Sequence, residues 1–445
     1  MGVVAIGEHG SQTVTKHAPL WNPVAEDSNP AGWLSANEPH LSKLIHQGIE
    51  PKPLLVCSGG TSSRCAADGL WTLDLRVHNR QLLLSEHGDE VEIGTGLSMA
   101  EVLESLQCHG RSIPVGLSTL PGCGFVLTGG IGPLTRSQGL AMDHVVGLRG
   151  VWGNGQSFQL SAPPRHQRVL TESPSEQLIR KTWRGLLGAA PFLAIITAIQ
   201  LRTNRLQPLA VWRSRCDVDE LAAAIKVSEQ WTHSASLQWA WSDNIELYVT
   251  CCADDTAAMN SLETLRRDFG SVSNGNLTIV PGQHAQPHFG TLARSRSTQE
   301  RLHSEVFSRL GPVLGDTIPT LITKLTHLMR KRPHPGCQIS AQQLGGKSSQ
   351  IPVEETSFIH RESIWKPWIT ATWPAGDGTM RQKGLQWLTD ANELLTEHFP
   401  GVHLAQIHPH LSFHSTEIEE AFGDWLPGLK QLKSTYDPEG LLPPL

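Results

Sequence analysis

Between residues 50 and 160, short apolar runs alternate with glycine-rich turns, and LLVCSGG, WTLDLRV and DEVEIGTG each read as a strand entering a turn. The segment SMAEVLESLQCHG departs from that alternation, because Met99, Val102, Leu103 and Leu106 recur at helical spacing. Ser98 stands at the N-cap with Glu101 three residues on, the two halves of a capping box, and Gly110 closes the helix. The densest glycine region, GLSTLPGCGFVLTGGIG, then runs from Gly116 to Gly132. The longest apolar stretch, Leu186 to Leu201, is shorter than the ~20 residues of a membrane-spanning helix and contains Pro191. Its β-branched half, Ile195 to Ile199, reads as a buried strand after a Gly/Ala/Pro turn.

From residue 206 the character changes. LQWAWS and NIELYVTCC alternate as strands, and TAAMNSLETLRRDFG follows as a helix stopped by Gly270, a pattern of an antiparallel sheet with helices on one face. Residues 271–295 read as a loop crossing, 297–330 as helical, 338–373 as strand-like, and 378–398 as a helix stopped at Pro400. A last helix runs from Ile418 to Tyr436 and ends at Asp437-Pro438, where proline cannot continue it. No internal repeat is present. The boundaries that follow are 1–205 for a first domain, 206–404 for a second, and 405–445 for a C-terminal segment returning to the first.

Composition narrows the classes. A chain of 445 residues with 39% hydrophobic content can bury two or three cores. Lys+Arg 36 against Asp+Glu 42 leaves a net charge of -6, which argues against a nucleic-acid binder that must neutralise phosphates. The N-terminus lacks a basic region followed by an apolar one, and eight cysteines include no CxxC pair. The expectation is a soluble, cytoplasmic protein with free thiols and no membrane or nucleic-acid partner.

No GxGxxG opens a helix here. Two other glycine clusters stand out: Ser58-Gly59-Gly60-Thr61-Ser62-Ser63, and Ser118-Thr119-Leu120-Pro121-Gly122-Cys123-Gly124 leading to Thr128-Gly129-Gly130-Ile131-Gly132. Glycines let backbone N–H groups approach an anion and hydroxyls add donors, so two such loops can cradle a pyrophosphate without cationic side chains. Either cluster alone would read as a turn joining strands. Two of them, about 60 residues apart with a capped helix between, favour a ligand.

SGGTSS followed by LDL, then EIGTGLSMAEVLESLQCHGRSIPVG and GCGFVLTGGIGPLTRSQGLAMDHVVG, resemble the flavin-binding domain of the berberine bridge enzyme-like FAD-linked oxidases, of the vanillyl-alcohol-oxidase/PCMH fold. LGGKSSQIPVEETSFIHR and FGDWLPGLKQLKSTYDPEGLL extend the resemblance in order to the C-terminus. It implies an α+β architecture: a PCMH-type FAD-binding domain plus a substrate domain with an antiparallel sheet flanked by helices. It implies FAD with its diphosphate on Ser58, Gly59, Gly60, Thr61, Ser62, Ser63, Ser118, Thr119, Gly122, Gly124, Gly129, Gly130 and Gly132. It further implies hydride transfer from an organic alcohol or amine to flavin, with oxygen or another electron acceptor reoxidising it.

The departures are informative. The family's histidyl and cysteinyl flavin anchors fall on Thr61 and Ser118, so the FAD is expected to be non-covalent; Cys57 and Cys123 are near in sequence without standing at the anchor positions. A histidine that faces the flavin in the family appears as Val126. The family's Gly-Asn-Phe-Gly-Ile-Val-Thr run matches Pro191 to Thr197, which puts Ile195 at the cofactor and adds bulk where glycine stands. The family's tyrosine base falls in the stretch Gln406-Ile407-His408-Pro409-His410, so His408 and His410 are candidate bases, with Tyr248 on a strand of the second domain as a third. His360 matches a family position where a structural role beside Arg361 serves equally well. The competing reading is a non-catalytic descendant of the same fold that binds a ligand or partner.

Three patterns read as coincidences or stay open. Ala341 to Ser348 imitates a P-loop without a helix to follow it. His403, His408, His410 and His414 have no zinc spacing and no carboxylate or cysteine completing them. Trp239 and Trp241 share one side of a strand, which is either a substrate wall or core.

Overall fold

The protein is described here from a computed structural model, covering residues 11–13, 17–116, 118–164, 173–268, 276–281, 301–404, 408–411 and 413–445. The first half holds two stacked sheets beside a two-stranded ribbon of Arg111–Ser112 and Asn204–Arg205. Gly32–Ala36, Trp71–Asp74 and Leu55–Cys57 run parallel, with Ser11–Thr13 antiparallel at the edge. A five-stranded antiparallel sheet has the order Leu82–Leu84, Glu90–Gly94, Ala194–Arg202, Val145–Trp152, Ser157–Ser161.

The alternation of Ala194–Arg202 explains how the two sheets pack. Ile195 joins Val151, Leu34, Leu73, Leu441 and Leu442 in the core beneath the parallel sheet. Ile196 points the other way, into a core shared with the Met99–Gln107 helix, and a register shift between Ile196 and Ala198 lets Ile199 join it. The capping box of that helix forms as its sequence dictates, with Ser98 N donating to Glu101 Oε2 at 2.9 Å and Glu101 N donating to Ser98 Oγ at 3.3 Å.

The second half is one eight-stranded antiparallel sheet ordered Asn276–Pro281, Pro208–Cys216, Ile245–Cys252, Ala235–Trp241, Gln338–Gln343, Trp365–Pro374, Leu302–Leu310, Gly401–Val402. Its outer face carries Trp212, Leu237, Leu247, Val249, Ile339 and Ile369 in a core with the helices Val218–Ser228, Thr256–Asp268, Ile318–Arg330 and Gly378–Thr396. Trp239 and Trp241 belong to that outer core, so they form no substrate wall.

Several expectations need correction. Residues 302–310 are a strand, with the helix confined to Ile318–Arg330, because Leu302–Leu310 is paired between Trp365–Pro374 and Gly401–Val402 and edge-to-edge pairing overrides local helical spacing. Within the crossing assigned to 271–295, Asn276–Pro281 is a strand added to the edge of the sheet; residues 271–275, 282–295 and Gly270 lie outside the described residues. The last helix is two, His414–Phe422 and Leu426–Tyr436, divided at Gly423 with φ +47°. Leu426–Tyr436 packs on the Pro174–Leu193 helix so closely that a Cβ on Gly185 would lie 2.7 Å from Leu432 Cδ1. Leu426–Tyr436 and Leu441–Leu442 thus pack with the first half, whereas His408, His410 and the His414–Phe422 helix sit against strands of the large sheet.

Candidate active site

The two glycine clusters meet. Ser58 Oγ donates to the Thr95 carbonyl at 2.6 Å and accepts from Gly124 N at 3.2 Å. A Cβ on Gly59 would lie 2.0 Å from Gly122 N, so the loops touch only because both positions lack a side chain. Gly60 has φ +74°, and its carbonyl accepts from Trp21 N and Asn22 N, both at 2.9 Å. Asn22 Nδ2 donates to the Thr61 carbonyl at 3.2 Å, Ser62 Oγ accepts from Arg64 N at 3.1 Å, and Ser63 Oγ donates to Glu305 Oε1 at 2.8 Å.

In the second loop, Ser118 Oγ accepts from Leu120 N at 3.1 Å and the Thr119 carbonyl accepts from Ala100 N at 3.0 Å. Gly129 and Gly130 have φ +134° and +75°, and a Cβ at Gly130 would fall 2.2 Å from Ala141 Cβ. A Cβ at Gly132 would fall 1.8 Å from the Val115 carbonyl oxygen. Gly130 and Gly132 are therefore required by the packing of the protein itself. Gly124 differs: a Cβ there would meet nothing nearer than Ser58 Cβ at 3.8 Å. Ile195, placed by sequence at the cofactor, is corrected: its side chain is buried in the core under the parallel sheet, so only its backbone is available to a ligand.

The inner face of the large sheet presents a row that sequence reading missed, apart from Tyr248. Arg213, Tyr248, Gln238, Gln342 and Lys366 are direct partners across five adjacent strands, so their side chains share one face. Arg213 is exposed, with its guanidinium 5.0 Å from the Tyr248 ring; the other four are buried. Tyr248 packs with Leu134, Leu209 and Val211, and burial pushes its phenol above the ordinary range. Gln238 Nε2 donates to Ser236 Oγ at 2.9 Å, and Ser236 Oγ donates to the Pro133 carbonyl at 2.7 Å, which turns this face toward the second glycine loop. Among the described residues the amide oxygens of Gln238 and Gln342 have no hydrogen-bond partner.

Lys366 is 8% exposed and burial pushes its ammonium down to about 8. Its Nζ lies 5.2 Å from the Trp368 ring, and among the described residues nothing accepts a hydrogen bond from it. Near it, His403 Nε2 donates to the Thr128 carbonyl at 2.8 Å, while among the described residues Nδ1 has no partner. Burial first, and then the Lys366 charge, hold this imidazole down to about 3. The detectable signal for the row was the period-two pattern of QISAQQ and WKPWIT, which places Gln342 and Lys366 opposite the tryptophan and isoleucine core positions.

Arg136 fixes the sheet over the loops. From the Thr135–Gln138 turn just past the second glycine cluster, its guanidinium donates to the carbonyls of Ala235 at 2.8 Å, Leu344 at 2.8 Å, Trp231 at 3.0 Å and Thr232 at 3.4 Å. Burial lowers it to about 10. Gly345 and Gly346, part of the P-loop imitation, pack against Arg136 and lead into a short 3-10 turn.

The candidate bases His408 and His410 sit elsewhere, in a carboxylate network that sequence reading did not foresee. His408 Nδ1 donates to Glu417 Oε1 at 2.6 Å and Nε2 donates to the Val306 carbonyl at 2.8 Å. With both nitrogens donating, His408 is an imidazolium; burial opposes the charge, and Glu417 and Glu305 raise it above the usual range. His410 Nε2 donates to Glu305 Oε2 at 2.7 Å, and His414 Nδ1 lies 3.3 Å from Glu417 Oε2. The geometry corrects His408 from base to a held cation and commits His410 to Glu305; Gln406 and Ile407 lie outside the described residues. His360 Nε2 donates to the Glu420 carbonyl at 2.8 Å, a structural placement.

Residues 38–161 match a family described as an FAD binding domain. The berberine bridge enzyme from Eschscholzia californica shares the fold, with a TM-score of 0.77 at 16% identity over 98% of this chain and 95% of that one. The chain carries the FAD-binding domain and the fold of the berberine bridge enzyme-like FAD-linked oxidoreductases. A chitooligosaccharide oxidase gives a TM-score of 0.75 at 16% identity, covering 95% and 92% of the two chains. The uncharacterized FAD-linked oxidoreductase YgaK of Bacillus subtilis (strain 168) is 21% identical over 372 residues, 79% of this chain and 77% of that protein.

The residues present fit a flavin. The converging loops offer backbone and hydroxyl groups free of side-chain bulk at Gly124, suited to a diphosphate. The unpartnered Gln238 and Gln342 oxygens, His403 Nδ1 and the Lys366 amine supply acceptors and a donor at the junction of loop and sheet, where a polar heteroaromatic ring and its substrate require them.

Proposed function

We propose that this flavoprotein oxidises a small or medium organic alcohol or amine, using FAD held without a covalent bond. The observation that carries the reading is the junction itself: buried polar groups without partners on the inner sheet face, set against uncharged glycine loops that touch one another. Bound FAD supplies a two-electron acceptor. The chain supplies the rest. The loop residues Ser58 to Ser63 and Ser118 to Gly124 hold the diphosphate through backbone and hydroxyl groups. Gln238 and Gln342 orient a substrate hydroxyl or amine, and Trp368 covers it with an aromatic face.

Non-covalent binding rests on side-chain chemistry. Thr61 and Ser118 carry no nucleophile able to bond the flavin ring. Cys57 and Cys123 are fully buried, and Cys123 points its thiol toward the Gly94 and Leu97 carbonyls, where burial raises its pKa far above the thiolate range. Oxygen or another acceptor completes the cycle.

The test is an absorbance spectrum of the purified protein before and after acid precipitation. Bands near ~370 and ~450 nm that pass wholly into the supernatant support the proposal. Colour retained in the pellet would overturn non-covalent attachment. A colourless protein that takes up no added FAD would make the chain a non-catalytic descendant of the fold.

A further inference from the structure

We propose that Lys366 is the base of this site, its neutral amine taking the proton from the substrate's hydroxyl or amine. The inference rests on the oxidoreductase reading above and goes beyond it by naming the group that accepts the proton.

Oxidation of an alcohol or amine requires an acceptor for the O–H or N–H proton within hydrogen-bond reach. Four other side chains titrate near the junction or were candidates from sequence. Tyr248 is neutral and pushed further toward neutrality by burial, so it holds its proton. His403 has a free Nδ1 lone pair, yet its imidazolium is so disfavoured that it cannot retain a proton near neutral pH. His408 already carries both protons, engaged by Glu417 and Val306. His410 is engaged by Glu305.

Lys366 is different on each count. It lies on the inner face because Trp365, its neighbour in the strand, points outward, with Nε1 donating to Glu229 Oε1 at 2.8 Å. It is buried, no carboxylate or carbonyl among the described residues holds its ammonium, and its direct cross-strand partner Gln342 has an unpartnered amide oxygen. An amine that titrates near 8 is neutral in about a tenth of molecules at pH 7 and about half at pH 8, a workable population for a base.

The groups that face it are His403 from the segment after Gly401–Val402, His360 behind His403, and Tyr248 and then Arg213 along its row. None of them is anionic. The ammonium formed in the reaction therefore meets no counter-ion among these groups, which keeps the proton from being trapped.

The step balances. The substrate O–H or N–H bond breaks and its proton forms a new N–H bond on Lys366 Nζ. The adjacent carbon loses its hydrogen with the bonding electron pair to the oxidised flavin, so the carbon rises to the C=O or C=N level and the flavin is reduced by two electrons.

Two experiments test this. The first needs no turnover: competitive acetylation of the full chain with isotope-labelled acetic anhydride across pH 6–11, reading the Lys366 peptide by mass spectrometry. A midpoint near 8 supports the assignment; a midpoint at the ordinary lysine value of ~10.4 overturns it.

The second uses FAD-loaded wild type, Lys366→Arg and Lys366→Ala. The probes are benzyl alcohol, benzylamine and cellobiose, and the readout is bleaching near ~450 nm with the one that reduces the wild type. Expected is a wild-type rate that rises with pH as an amine titrating near 8 loses its proton, and, in both variants, unchanged FAD content, a loss of at least about a hundredfold and no such rise, with recovery of Lys366→Ala by added methylamine. Retention of activity by Lys366→Arg would overturn the proposal, since it would show that charge alone suffices. A wild type that bleaches with none of the probes would instead count against the alcohol or amine oxidation itself, while the acetylation result would still judge the amine.

Discussion

Gly124 and Gly130 stand six residues apart in one glycine-rich segment, and adding a single methyl group at each has opposite physical consequences. Gly130 adopts φ +75°, which costs an L-residue about 1–2 kcal/mol. Its new Cβ would also lie 2.2 Å from Ala141 Cβ, an overlap relieved only by shifting backbone, at about 1–3 kcal/mol. Gly130→Ala should therefore lose about 2–5 kcal/mol of stability whether or not FAD is present, a large share of the ~5–15 kcal/mol typical of a folded protein. Gly124 begins a short helix outside the left-handed region, and the nearest atom to its Cβ would be 3.8 Å away. Gly124→Ala should leave the apo protein within about 0.5 kcal/mol of wild type. On the proposed reading its methyl group occupies the space that takes the FAD diphosphate, so FAD affinity should fall at least about tenfold, equal to ~1.4 kcal/mol. Calorimetry of apo protein gives the first quantity and fluorescence titration with FAD the second. A Gly124→Ala protein that binds FAD as tightly as wild type would refute the assignment of the gap between the loops as the diphosphate site. A fully stable Gly130→Ala protein would refute the packing argument.

Replacing Arg136 by Met leaves four carbonyls, of Ala235 and of the segments flanking the sheet strands, without their common donor; at about 1–3 kcal/mol per buried unsatisfied group, partly relieved by water, a loss of at least ~3 kcal/mol and a separate unfolding transition for the large sheet are expected by calorimetry, and an unchanged single transition would contradict the role given to it. The Glu305–His408–Glu417 network makes stability depend on pH from both sides. Burial favours the neutral acids, but His410 and Ser63 at Glu305, and His408 and His414 at Glu417, hold both carboxyls below their ordinary range, so that stability is present above the unfolded carboxylate pKa and lost as pH falls through the lowered values. His408 is raised, so its contribution is complete below ~6.5 and lost as pH climbs through the raised value. Urea denaturation across pH 3–9 should show both limbs, and His408→Gln should flatten the alkaline one; an alkaline limb that survives the substitution would place its origin elsewhere.

The sequence by itself determined whatever depends on neighbours along the chain. The Ser98–Glu101 capping box needs three residues' spacing and nothing else, and it forms. The glycine loops and the segments that flank them carried the FAD-binding domain, because a backbone approaching a ligand or another loop tolerates only glycine at fixed positions. The alternation of LQWAWS and NIELYVTCC was enough to announce strands, though not which side of LQWAWS would meet the core.

Tertiary structure decided the remainder, since pairing across strands has no linear signature. Leu302–Leu310 became a strand because two other strands were placed to receive it. Trp239 and Trp241 went to the outer core, which turned Gln238 inward. His408 and His410, chosen for their intrinsic basicity, found Glu417 nine residues along the chain and Glu305 about a hundred residues back, and so were committed before any substrate arrives. Lys366 has the opposite history. Nothing in WKPWIT distinguishes its lysine from one at the surface; its burial, its alignment with Gln342, and the desolvation that lowers its proton affinity exist only once five strands are laid side by side.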